Sequence, residues 1–479
     1  MADSPTALTG RDAAAAAQLR ERFGFLQEVV ADMERHIPYA SAMVSSRDGI
    51  RLNLRDAEQS VIRQDPQEGV VLSASDGHRL QEASSDRTDA DSVRALADEL
   101  VESLTGRQPD EGEPSFEVAV DEAALGDFAT RMQEDPADVS LEDKIARFEA
   151  VRQQLRGMDQ RAVQAMANYA DSEQLHVFAN RAGLATQQIR RAHLALLLFV
   201  SDGSRQEYVY VARSGTGGME RAAIDEDALR TAATTAGELL HAESMPPGTY
   251  DVVTDSVTTG TIAHEAFGHG METDMFLKQR ARGAEFIGKR VGSDLVNIVD
   301  DPTYPGAYGS YFVDDEGQPA APTQIIRDGI LQGGLTDLYS AVRLGLRRTA
   351  NGRRESVQRK AYARMSNTFF ETGSHTREEV LGSLDNGLYL CETENGMEDP
   401  KGWGIQIWAH YAREYRNGQP TGRIFSPVAI TGYVPDVLRD VSMVANDFEM
   451  QAGTCGKGWK ELVPVGSGGP HLRTRCRLA

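Results

Sequence analysis

The sequence predicts an α+β protein in two parts. An N-terminal α/β domain covers residues 1–244, and a mostly β C-terminal domain covers 245–479 and carries one His-Glu-x-x-x-His helix. Three observations predict this. The first half mixes runs of helical period with alternating runs. Ser244-Met245-Pro246-Pro247-Gly248 breaks the chain where the composition changes. Beyond it, short β-prone runs are punctuated by Asp314-Asp315-Glu316-Gly317, Asp328-Gly329 and Asn417-Gly418.

In chain order, residues 12–36 place Leu19, Phe23, Leu26, Val29, Val30 and Met33 at helical spacing, and Ala13 to Ala17 add helix propensity. One amphipathic helix packed on its own domain is expected. Strands are expected near 38–54 and 68–74, and a helix near 91–104 within the acidic stretch 84–116. Gln108-Pro109-Asp110-Glu111-Gly112-Glu113-Pro114 reads as a loop. A helix near 140–156 takes Ser140 as its N-cap. His193–Val200, the turn Ser201-Asp202-Gly203-Ser204 and Gln206–Arg213 form a hairpin signal. Ser214-Gly215-Thr216-Gly217-Gly218 lacks the Lys-Ser/Thr ending of a phosphate loop. A helix follows over about 225–242, then a strand over Thr249–Asp255.

The 479 residues carry a formal net charge of −22, and such a surface repels nucleic acid and anionic membranes. No run approaches the ~20 apolar residues of a membrane span, and Met1-Ala2-Asp3-Ser4 begins no secretory signal. Three cysteines, Cys391, Cys455 and Cys476, are too few for a disulfide framework and point to a reducing compartment. A cytoplasmic protein is expected. Cys391, at a strand end, and Cys476, in the C-terminal tail, read as chemically bland.

The chemistry concentrates in Thr261-Ile262-Ala263-His264-Glu265-Ala266-Phe267-Gly268-His269-Gly270. Neutral imidazole is a good zinc ligand, and a carboxylate beside a water so activated is a good proton acceptor. The histidines stand at i and i+5, about 500° apart around an ideal helix. Both face one metal only if the helix widens, as in a π-bulge, or ends early. Gly268 permits either distortion. A third ligand must come from elsewhere. Glu272, Asp274 and Cys455 are candidates that spacing does not separate; Cys455 lies in the glycine-flanked loop Gly453-Thr454-Cys455-Gly456-Lys457-Gly458, where Lys457 would favour the thiolate.

The C-terminal half resembles the TldD/PmbA family of zinc metallopeptidases, and TldD more than its paralogue. The resemblance rests on His264 to Gly270 with Glu272 and Asp274, on Val299-Asp300-Asp301, and on Asp314-Asp315-Glu316-Gly317 with Pro319. It continues through Asn351-Gly352-Arg353-Arg354-Glu355-Ser356 and Met365-Ser366-Asn367-Thr368. Ser442-Met443-Val444 with Asn446-Asp447, Cys455-Gly456-Lys457 and Pro464-Val465-Gly466 complete it, so that it covers most of 249–472. The N-terminal half resembles the family in outline only. The resemblance implies Zn²⁺ held by His264, His269 and Cys455, with Glu265 as general base. It also implies a dimer, either a homodimer or a heterodimer with a TldE/PmbA-like paralogue, that encloses the site and captures an extended peptide by backbone pairing. Arg353 and Arg354 are candidate oxyanion or substrate contacts, or else structural ion pairs. His410 is a candidate lining residue.

One stretch departs from the family. Where relatives carry a glycine-rich run, this chain reads Thr393-Glu394-Asn395-Gly396-Met397-Glu398-Asp399-Pro400-Lys401-Gly402-Trp403-Gly404. Three functions follow as expectations. The first is a zinc peptidase acting on unfolded or precursor peptides. The second is a small-molecule amidase of specialised metabolism, which the altered stretch motivates. The third is a non-catalytic partner subunit whose zinc is structural.

Overall fold

Long antiparallel hairpins build the N-terminal sheet. In the computed structural model, which describes residues 8, 10–56, 58–106, 113–119, 125–458 and 461–479, its order is Leu80–Ser85, Gln59–Ser75, Tyr39–Leu54, Ala162–Asn180, Gly183–Ser201. Gln206–Thr216 pairs antiparallel with the last of these, and the short strand Gly126–Ala129 pairs parallel with it. The strands run longer than their periodicity suggested because one part of each lies outside the core: residues 59–67 are mostly exposed and much of 162–175 is only half-buried. The expected loop over 108–114 lies outside the described residues as far as Gly112.

The helix expected over 12–36 is two helices, Gly10–Phe23 and Phe25–Met33, parted at Gly24. Glycine costs a helix about 1 kcal/mol relative to alanine; Gly24 keeps right-handed helical angles, and a Cβ there would lie 2.7 Å from Arg20 O. Leu26, Val29, Val30 and Met33 then pack with Val93, Ala97, Leu100 and Leu104 of the helix Ala90–Thr105 on one part of the sheet. Ser140 caps Leu141–Gly157 by accepting from Asp143 N, and Asp225 caps Glu226–Leu239 by accepting from Ala228 N. These two helices cover Leu194, Leu196 and Leu198.

Two large sheets, with a two-stranded ribbon of Gly352–Arg353 and Tyr362–Ala363, make the C-terminal region. In one, Asn386–Asp399, Gly248–Thr254, Leu472–Leu478, Val428–Tyr433 and Gly404–Arg416 follow one another, and the first also pairs with the last, so the sheet closes. The other has the order Ile330–Leu331, Thr323–Arg327, Ile298–Asp300, Asn367–Phe370, Glu461–Gly469, Glu449–Lys457. The turns at Asp328-Gly329 and Asn417-Gly418 form with positive φ at all four residues, as a two-residue hairpin turn requires. The helix Ser256–Phe267 lies between the sheets and buries Ile262, Ala263, Ala266 and Phe267 in the largest core. Four shorter helices that the sequence did not announce also occur: Thr273–Leu277, Leu338–Leu344, Arg377–Gly382 and Val434–Arg439.

Cys391 lies inside its strand rather than at the end, and Cys476 sits in the strand Leu472–Leu478; both are buried. Beside Cys391, Glu392 has φ +55° and a shielded carboxyl oxygen without a hydrogen-bond partner. Burial, then Asp255, pushes this carboxyl up to about 8. The unfolded value is about 4.3, so the native state holds the proton more tightly. That contribution is full below the unfolded value and is lost as pH rises towards the folded one. Glu392→Gln is therefore expected to raise Tm by about 2 °C or more near pH 8 and to leave it unchanged near pH 4. Identical melting curves at the higher pH contradict this.

Candidate metal centre

Asp255 starts the central helix by accepting from Thr258 N at 2.7 Å. The helix stops at Phe267, Gly268 N donates to His264 O at 3.1 Å, and a 3₁₀ turn follows over His269–Met271. The i, i+5 spacing is thus resolved by an early end and not by a π-bulge. Gly268 is needed because a Cβ there would collide with Met365 Sδ and the His264 carbonyl. The tighter turn brings the rings of His264 and His269 to 5.1 Å between centroids, at 87°.

Cys455 comes from the edge strand Glu449–Lys457, and its Sγ lies 3.3 Å from His269 Nε2. One ligand atom each from His264, His269 and Cys455 lies within 4.8 Å of the others. His264 Nδ1 is shielded from solvent and has no hydrogen-bond partner. Two imidazoles and a thiol converging around an unsatisfied buried nitrogen fit a metal ion. Of the alternatives left open by spacing, Asp274 is tied to Lys457 at 2.6 Å and Lys278 at 3.0 Å, and Glu272 stands behind His269.

Burial opposes charge on Cys455, but His269 and His264 hold its thiol well below the usual range. Burial likewise opposes charge on His269, while Cys455 and Glu272 raise it well above the usual imidazole value. Glu272 Oε2 lies 3.3 Å from His269 Nδ1 and 3.0 Å from Lys457 Nζ. Despite its burial, Lys457 and His269 bring the Glu272 carboxyl down to about 2. Lys457 therefore acts on Glu272 and Asp274, where the sequence had suggested it would act on the thiolate. Fully buried Arg364 donates to the carbonyls of Cys455 and Glu461, anchoring the cysteine strand. A carboxylate behind a ligating histidine fixes its tautomer and ring direction. Glu272→Gln is expected to weaken metal affinity by about 10–100-fold, read by competition with a chromophoric chelator; unchanged affinity would assign Glu272 to the fold alone.

These groups open on a cleft of about 900 Å³. Glu265 lines it, with Thr261, Tyr362 and two strand segments, 393–398 and 451–457. Among the described residues no hydrogen bond or ion pair holds the Glu265 carboxylate. A Cβ at Gly396 would stand 2.5 Å from Glu265 Cγ, so a glycine there leaves room for that side chain. Residues 393–398 and Pro400 of the divergent stretch thus form one wall of the cleft. Its Glu398 is pushed up to about 9, chiefly by burial. The sequence flagged the stretch by its departure from the family; the positions of Gly396 and Glu398 facing the helix became visible only with the strand register.

Arg353 and Arg354 are not brought to this cleft. Arg353 donates to the carbonyls of Met365 and Pro464 and lies over the Tyr311 ring, 5.0 Å from its centroid. Arg354 binds Glu82 at 2.8 Å and the Arg359 carbonyl. His410 is buried behind the wall, 3.5 Å from Glu394, which itself does line the cleft.

Comparison with known proteins places this arrangement in a lineage. Residues 247–476 match the PmbA/TldA metallopeptidase C-terminal domain, and 134–240 match the central domain. A metalloprotease of Methanothermobacter thermautotrophicus is 36% identical over 320 residues, 65% of this chain and 69% of its own. A metalloprotease of Methanocaldococcus jannaschii is 30% identical over 391 residues, 79% of this chain and 85% of its own. The crystal structure of TldE from Thermococcus kodakarensis superposes with a TM-score of 0.72 at 16% identity, covering 94% of this chain and 99% of that one, a likeness of fold. Among the described residues no helix is long and apolar enough to cross a membrane. The two domain matches and the relatives together show that this chain belongs to the PmbA/TldD metallopeptidase family.

Proposed function

We propose that this chain is a zinc-dependent peptidase that hydrolyses amide bonds in unfolded or precursor peptides. His264, His269 and Cys455 hold the metal, and Glu265 is the general base. The observation that carries this reading is the meeting of donors from two distant segments beside an unpaired carboxylate in a large cleft. The donor set of two imidazoles and a thiolate suits zinc. Three donors in reach of one another, rather than the four of a closed structural site, suit catalysis.

When bound, the metal supplies a positive charge that polarises the amide carbonyl and acidifies water beside it. Glu265 takes the proton from the attacking water and delivers it to the leaving nitrogen. Glu272 keeps the His269 ring in place. Two strands give the substrate its track. Among the described residues the edge strand Glu449–Lys457 pairs with Glu461–Gly469 alone, and the segment 393–399 with 404–409 alone. Each has an unpaired edge that an extended peptide can join by backbone hydrogen bonds, whereas a folded domain has no free backbone to offer.

An assay of one protein in folded form and in reduced, alkylated, unfolded form tests this reading. The metal-loaded chain is expected to cut only the unfolded form. Equal cutting of both, or of neither, contradicts it. A dimer, of this chain with itself or with a paralogue, belongs to the same reading. Residues 59–69 of the strand Gln59–Ser75 have a second edge without a strand partner, and Val61 and Ile62 are exposed there. Sedimentation velocity that finds only active monomers removes the dimer.

A further inference from the structure

Glu398 is an anomaly in the cleft wall. Both its carboxyl oxygens are shielded from solvent, and neither has a hydrogen-bond partner. A buried carboxyl without partners is costly, and natural structures keep one where something else completes it. Its position says what that is. Gly396 and Glu398 are two apart on one strand, so they address the same face. Gly396 abuts the side chain of Glu265, and a Cβ on Gly270 would lie 2.8 Å from Glu398 Oε1. Glu398 therefore sits at the end of the metal helix, within the cleft that Glu265 lines.

His269 favours charge on Glu398 while Glu265, Glu272 and Asp399 oppose it, and among the described residues no hydrogen bond joins any of them to its carboxyl. Lys457 is bound by Glu272 and Asp274, and Lys278 is bound by Asp274. Glu394 accepts from Tyr208 Oη at 2.6 Å. Arg280 lines the same cleft, but no ion pair joins it to Glu398 among the described residues. The cleft wall thus places a buried acid without a hydrogen-bond partner beside Glu265.

We propose that Glu398 is a specificity-determining residue that receives a positively charged group of the substrate, an ammonium or a guanidinium. The inference rests on the peptidase reading and names its substrate class: peptides with a cationic residue or a free amino terminus near the scissile bond. A cation entering the cleft favours the ionised form of this buried carboxyl, which then gives up its proton, and it supplies the Glu398 oxygens with donors in a site shielded from water. There a charge-assisted hydrogen bond is strong. A neutral side chain of the same length leaves them unmatched.

The test uses pairs of unstructured peptides that differ at one position, lysine against norleucine or arginine against citrulline, with that position moved along the sequence. At one position the wild-type, metal-loaded chain is expected to favour the cationic member by about tenfold or more in kcat/KM. Glu398→Gln is expected to lose that preference and to keep its rate on the neutral member. Anisotropy of the same labelled pairs on chelator-treated protein gives a readout independent of cleavage. Tighter binding of the cationic member, abolished by Glu398→Gln, supports the pocket even if no peptide is cut, and in that case only the peptidase reading fails. Wild type without cationic preference in rate and in binding, or a preference that survives in Glu398→Gln, overturns the proposal.

Discussion

Cys455→Ser is expected to strip the metal from this chain under dialysis that the wild type survives. The loss should exceed the about 10–100-fold that an outer partner of a ligand is worth. The reason is chemical. A serine hydroxyl stays protonated at neutral pH, whereas the Cys455 thiol is held well below its usual range by the two histidines, against the effect of burial. The fold should tolerate the change. Serine is close to isosteric, and the strand is held by backbone pairing of Cys455 with Val463 and by Arg364 at the Cys455 carbonyl. Metal-free wild type and variant should melt together. A variant that keeps one metal per chain through dialysis would remove Cys455 from the ligand set and return the choice to Glu272 or Asp274.

Glu265→Gln is expected to lower kcat by about 10²–10⁴-fold while metal content stays at the wild-type level. The amide keeps the shape of the side chain against Gly396 but accepts no proton as a base. No ion pair is lost, because none holds Glu265 among the described residues. A structural role would show itself as a lower Tm or a lost metal. A variant with wild-type turnover would sink the general-base assignment.

How far the sequence reached depends on how local each signal is. The His264–Glu265–His269 pattern is contiguous, so it could be singled out from residue types alone, as could the need for the helix to widen or end early. Cys455 lies 186 residues from His269, and residue types alone left it level with Glu272 and Asp274. Only the resemblance favoured it, and the geometry then put its sulfur against the imidazole. The turns at Asp328-Gly329 and Asn417-Gly418 were legible because positive φ at two successive positions restricts the residues allowed. Arg353 and Arg354 stayed between two readings for the opposite reason. A charged side chain announces its charge but not its partner, and here backbone carbonyls and Glu82 take both. The split at Gly24 was missed because an unbroken apolar period runs across it. Glu398 needed the strand register, since a shift of one residue would turn it away from the cleft.

The proposed hydrolysis requires a metal held by His264, His269 and Cys455, with Glu265 as the base. Metal content and cleavage of an unfolded peptide, measured on one preparation, test it most directly. The preparation is assayed as purified, after chelation, and after readdition of zinc. About one metal per chain is expected, with cleavage lost on chelation and regained in proportion to the zinc bound. Cleavage that persists in the metal-free chain would contradict it.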